Sequence, residues 1–205
     1  MTLKETFFEL TAPYSKDEEL KNRLWNEIEL NYSEKNRFYH TLAHLSQIIF
    51  ILNQVKDKIQ DWESILWTIF YHDIIYKVGA DKNEEKSAEF AKSHLSQLGV
   101  SETKIQKCIS MILASKEHLP TNDTDTAYFL DADLSILGQS ADVYLAYTKK
   151  IKQETGFMPN FLYKIGRKKI LKKFLLRSSI YQTHFFKERF EEVAQKNIFE
   201  EMRNI

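Results

Sequence analysis

The chain is short of the residues that interrupt helices. It holds five glycines and three prolines in 205 residues, where average usage would make these two types roughly 12% of the total. So few breakers exclude the many turns of an all-β fold and of regularly alternating strands and helices. Cysteine is scarcer still. Cys108 stands alone, so no disulfide can close within the chain, which fits a reducing compartment. It lies among Ile105, Ile109 and Ile112 and reads as a small apolar core residue. An excess of one charge is lacking too. The 29 basic and 29 acidic side chains cancel, which argues against binding bulk nucleic acid through a basic face. No window approaches the roughly 18 uncharged apolar residues of a membrane span. Residues 1–10 carry Lys4, Glu5 and Glu9 and lack the apolar core of a signal peptide. The expectation is a cytoplasmic protein with no membrane partner, present as a monomer or homodimer.

What the chain does have is ordinary globular composition, 43% hydrophobic and 28% charged, and apolar residues recurring at a period of 3.6. No repeat or Gly/Ser/Pro-rich linker divides it. The expectation is one all-α domain over residues 1–205, a helical bundle. Ser15 and Glu18 form a capping-box pattern ahead of Leu20, Leu24, Trp25 and Ile28. A second helix is predicted from about Phe38 to Val55, with Leu42, Leu45, Ile49 and Leu52 facing the core. A third starts near Asp61 and stops before Gly79. A fourth runs from Asn83 to Gly99, where a left-handed cap fits, and a fifth from Ser101 to near Pro120. Shorter helices are expected over 127–137 and 142–154, and two long ones over 161–178 and 180–202.

Three of the six histidines stand out. His40 and His44 are four apart, on one face of the second predicted helix. His72 is followed by Asp73 at the end of the apolar run Ile65 to Tyr71. A His-Asp pair there is costly to bury unless it is paired or binds a metal. Asp131-Ala132-Asp133 closes a second apolar run. Two imidazoles and two carboxylates from three helices can surround one divalent ion. Mixed nitrogen and oxygen donors suit Mn, Fe, Ni, Zn or Mg rather than a thiolate-type structural zinc site. Such an ion can activate a water and polarise a phosphoryl oxygen.

These residues resemble the motifs of the HD superfamily of metal-dependent phosphohydrolases. The order of that family is His, then His-Asp, then a distant Asp, and the chain offers His44, His72-Asp73 and Asp133. The stretch Tyr39-His40-Thr41-Leu42-Ala43-His44 is similar to the corresponding motif of cyclic nucleotide phosphodiesterases. Tyr71 to Tyr76, Asn83 to Ala88, Phe129 to Leu134 and Gly166-Arg167 with Leu171 and Arg177 resemble a bacterial single-domain subgroup, so the match covers about Arg37 to Glu200. The resemblance implies an all-helical fold of HD type. It implies one divalent ion on His44, His72, Asp73 and Asp133, with hydrolysis of a phosphate ester in a nucleotide or other small metabolite. His40 is then the proton donor to the leaving oxygen, or else a residue behind the ligands. Asp73 or Asp133 helps orient or deprotonate the water. The alternative is a nucleotide-sensing or interaction module that keeps the scaffold without turnover.

Several assignments stay open. Asp131 and Asp133 point to opposite sides of a helix. Asp133 is the expected ligand, and Asp131 then holds a ligand histidine or a basic residue. Glu84 and Glu85 are either an acidic first turn favoured by the helix dipole or site residues, Glu85 orienting His40 or holding a water. In the segment before Pro120, Lys116 is a candidate behind the ligands or at the substrate, and His118 a candidate for a substrate phosphate or a second metal. A histidine at a helix end is also favourable without such a duty. Arg167 and Arg177, in the basic run from Lys164 to Arg177, are either part of a solvated face or grip a phosphate bidentately. His94 and His184 read as packing or surface residues.

Overall fold

The computed structural model describes residues 1–156 and 158–205. Among them there is no strand, and ten α-helices account for most of the chain. The fold is all-α, as the scarcity of glycine and proline requires. The contacts divide the chain into two compact units, Met1–Phe129 and Leu130–Ile205.

The first unit holds α1 (Leu3–Thr11), α2 (Glu18–Tyr32), α3 (Leu42–Leu52), α4 (Trp62–Tyr71), α5 (Asn83–Leu98), α6 (Glu102–Ala114) and the start of α7 (Thr124–Asp133). Its axis is α4. Every residue from Ser64 to Tyr71 is buried, because α3, α5 and α6 all pack on this helix. A helix apolar on all sides is one that other elements surround. Asp61 caps it, accepting from the amide of Ser64 at 3.0 Å. At one side Phe7 of α1 meets Trp25, Trp67 and Phe70 with ring centroids 5.8, 6.2 and 5.4 Å away. Such edge-on aromatic packing adds to simple area burial.

Some helix boundaries differ from the sequence expectation. The α2 cap is Asp17, whose carboxylate accepts from Leu20, while the Ser15 hydroxyl accepts from the Asp17 amide two residues on. The second predicted helix begins only at Leu42. Thr41 is extended (φ −121°, ψ 175°), so His40 stands ahead of the helix. Its core face is His44, Leu45, Ile48, Ile51 and Leu52, with Leu42 and Ile49 only half-buried. Helix α5 ends as expected, with Gly99 at φ 76°, a conformation that costs glycine nothing. Helix α6 stops at Ala114, well before Pro120. The α1 helix has a capping box between Thr2 and Glu5 that the sequence reading did not single out.

The second unit holds the end of α7, a 3-10 turn (Leu134–Gly138), α8 (Ala141–Glu154), α9 (Asn160–Leu175) and α10 (His184–Asn204). The 3-10 turn packs on α10. At Gly138 an added Cβ would lie 2.5 Å from the Cβ of Phe190, so only glycine allows this approach. Residues 180–183, expected to be helical, form a non-helical lead into α10. Glu191, about two turns inside that helix, reaches back and accepts from the amides of Ile180 and Tyr181.

Candidate metal centre

The site begins where α4 ends. The last carbonyls of a helix have no partner within it, and here they end inside the core. His72, the C-terminal cap, supplies one partner itself: its Nδ1 lies 3.0 Å from the carbonyl of Ile69. A carbonyl only accepts, so Nδ1 carries the proton and Nε2 keeps its lone pair. That is the tautomer a metal-ligating histidine needs, fixed by a backbone partner behind it. His72 is buried and packs edge-on to Phe129 of α7, with ring centroids 5.5 Å apart.

His44 comes from the first turn of α3 and is also buried. Its ring centroid is 5.4 Å from that of His72. The Asp73 carboxylate lies 3.2 Å from His72 Nε2 and 4.0 Å from His40 Nε2. Asp133 is the last residue of α7, about one turn beyond Phe129. Within the first unit, two buried imidazoles and the adjoining Asp73 carboxylate offer nitrogen and oxygen donors, a set that suits a divalent ion of borderline or hard character.

His40 lies outside this buried group, in the bend before α3. Its ring stacks on Tyr76 at 4.0 Å and meets Tyr39 edge-on at 5.0 Å. The stacking fixes the imidazole plane beside Asp73. The spacing His40–His44 therefore marks a bend followed by a helix start, not two neighbours on one helical face.

Arg37 was not singled out from the sequence, yet it ties the site together. It is buried. Its Nη1 donates to the Asp73 carbonyl at 2.6 Å and to the His40 carbonyl at 3.4 Å, and its Nη2 donates to Ile74 at 2.8 Å. Glu34 faces Nε at 3.2 Å, and the guanidinium lies over Tyr32 and Tyr76. One planar fork thus joins the bend carrying His40 to the turn carrying His72 and Asp73. Tyr32 also contributes, its hydroxyl accepting from the Asp73 amide at 3.3 Å. The only sequence signal for Arg37 is its place three residues before His40.

The remaining candidates are placed as follows. Asp131 is buried and serves the backbone of the second unit. It accepts from the amides of Gln182 and Thr183 and from the Thr183 hydroxyl, and so binds the N-terminal end of α10. Burial pushes its carboxyl up to about 6 against the pull of those donors. Glu84 and Glu85 lie in the first turn of α5. Burial raises the Glu84 carboxyl, opposed by its own amide and Lys116 and reinforced by the Asp73 and Glu85 charges. Glu85 pairs with Lys116, which also donates to the Asp81 carbonyl. Lys116 thus clasps the segment entering α5. His118 follows α6 with φ 48°, an uncommon backbone for a residue with a side chain. Arg167 is buried and engaged by Glu201, at 2.8 and 3.0 Å, and by Tyr147, so its fork serves the second unit's own packing. Arg177 lies over Phe174. His94 is a packing residue, held between Glu27 and Tyr71, and His184 is exposed beside Glu188. No helix among the described residues is long and apolar enough to cross a membrane.

Comparison of the chain with protein-family models, with curated proteins and with solved structures yields no match.

Proposed function

We propose that the chain is a metal-dependent phosphohydrolase of the kind its motifs resemble, the HD superfamily, acting on a phosphate ester in a nucleotide or other small metabolite. The observation that carries the reading is the pair of buried imidazoles of His44 and His72, ring centroids 5.4 Å apart, with the Asp73 carboxylate 3.2 Å from His72. In this reading these three residues and Asp133 hold one divalent ion. When bound, such an ion supplies Lewis acidity toward a phosphoryl oxygen and lowers the pKa of a coordinated water.

The chain's own groups do the rest. His72 presents Nε2 because Ile69 holds its Nδ1 proton. The Asp73 carboxylate lies beside both His72 Nε2 and His40 Nε2, so in this reading it faces the ion together with His72 and adjoins the proton donor. His40, stacked on Tyr76, is half-buried and able to give a proton to the leaving oxygen of a substrate. Arg37 holds the two backbone segments in register. A cytoplasmic location is part of the same reading and fits a chain whose one cysteine is buried and reduced.

The test is a panel of phosphomonoesters and phosphodiesters, assayed with the metal the protein retains on purification. Hydrolysis that is lost in His72→Ala, and reduced in kcat in His40→Ala with metal content unchanged, supports the reading. Retained metal with no turnover on any ester contradicts it. Tight nucleotide binding without product then points to the sensing module.

A further inference from the structure

The second unit contains a groove that the metal reading does not use. It encloses about 780 Å³, within the range of ligand pockets. Helices α8, α9 and α10 form its sides. Tyr144, Tyr163 and Asn197 make a buried floor, and Leu145 makes part of the wall although 53% of it is exposed. The floor is rigidly built. Tyr144 donates to Glu201, and Glu201 is bound by Arg167, so this carboxylate is already neutralised. Asn197 is fixed by the carbonyls of Leu137 and Gln139 at 2.9 and 2.8 Å. Around the opening stand Lys149, Lys152, Lys164 and Lys196. The Lys152 ammonium itself lies over the Tyr163 ring, 4.1 Å from its centroid, and donates to Asn160 at 2.8 Å. Among the described residues the acidic side chains lining the groove are Glu200 and the paired Glu201. Lys164 belongs to the basic run that the proposed hydrolysis leaves without a role.

An apolar trough with a cationic edge calls for a ligand with the complementary division. We propose that this groove binds an amphipathic carboxylate, a molecule with a long apolar body and a single acid head. The body lies along Leu145, Tyr144 and Tyr163, and the head meets the lysines. Lysine ammonium groups on flexible stems suit such a head as point charges, without the fixed fork that a planar double contact needs. The proposal is independent of the metal centre, since every residue named lies in the second unit.

The experiment is a fluorescence titration of the full chain with dansyl-undecanoic acid, kept below its micelle concentration, and in parallel with its methyl ester. Saturable binding of about one probe per chain is expected, with the uncharged ester about tenfold weaker. Leu145→Asp places a charge in the apolar wall and is expected to weaken the acid by about tenfold or more. Lys164→Glu combined with Lys196→Glu is expected to remove the difference between acid and ester. These side chains are at the surface or half-buried, and thermal melting reports whether each variant is folded. Absence of saturable binding overturns the proposal. So does equal binding of acid and ester by the parent chain, or unchanged binding in folded Leu145→Asp.

Discussion

Replacing Arg37 with Met tests whether one buried fork sets the geometry of the candidate site. Met keeps an unbranched stem between Tyr32 and Tyr76 but removes every donor. The two short bonds, to Asp73 at 2.6 Å and Ile74 at 2.8 Å, are made by a charged group, and such bonds contribute about 1.5–3 kcal/mol each. Their loss leaves two carbonyls in a buried turn without those donors. Part is offset because a buried charge no longer has to be desolvated. A net cost of about 3 kcal/mol follows, which for a chain of this size lowers Tm by about 6–12 °C. Calorimetry and urea unfolding measure it. Because the turn that loses its anchor carries Asp73, metal affinity should fall as well, by about tenfold or more. Arg37→Lys keeps the charge without the planar fork and should lie between parent and Met variant in both measurements. A Met variant within about 0.5 kcal/mol of the parent would refute the reasoning. Lost stability with unchanged metal affinity would refute the link from Arg37 to the site.

The other expectations are narrower. Asp131→Ala should destabilise the chain by about 1–3 kcal/mol through the amides of Gln182 and Thr183 while leaving metal content unchanged, and Asp133→Ala should do the reverse; swapped outcomes in paired melting and metal analysis would exchange their roles. Burial holds the His94 imidazole below its ordinary 6.5, outweighing the Glu27 carboxylate. The unfolded chain therefore binds the proton first as pH falls through 6.5, and stability is lost with acid below that point. Urea midpoints from about pH 7.5 to about pH 5.5 should decline more steeply for the parent than for His94→Gln, and equal slopes would count against it. Burial pushes the Cys108 thiol up to about 12, so a thiol reagent at about pH 8 should label it only in denaturant; rapid labelling of the native chain would show that the core opens there.

Local signals were legible in the sequence where one residue decides a boundary. Gly99 marks the end of α5 because its left-handed backbone favours glycine, and Asp61 caps α4 from the position its sequence suggested. The uninterrupted apolar run through Tyr71 identified the buried helix whose end carries His72. Other features depend on partners distant in the chain. Ile180 and Tyr181 look helical by composition, yet their amides are taken by Glu191, and the next ones by Asp131, 51 and 52 positions earlier. The same contacts explain why Asp131, next to the candidate ligand, serves the backbone of the second unit. His40 falls off the helix because Thr41 is extended, and spacing alone does not distinguish a helix interior from a bend one turn ahead of it. Arg37 was hidden because its importance lies in carbonyls 36 and 37 positions away, which leave no periodic trace. The groove of the second unit is likewise an arrangement of three helices, to which the basic run noted in the sequence contributes only Lys164 among the described lining residues.

The central claim is that His44, His72, Asp73 and Asp133 hold a divalent ion with His40 beside it. Metal analysis of the purified chain and single alanine variants tests this most directly. The account predicts about one divalent ion per chain, lost in His44→Ala and His72→Ala and retained in His40→Ala. A parent chain without stoichiometric metal after loading, or metal lost in His40→Ala and kept in His44→Ala, would contradict it.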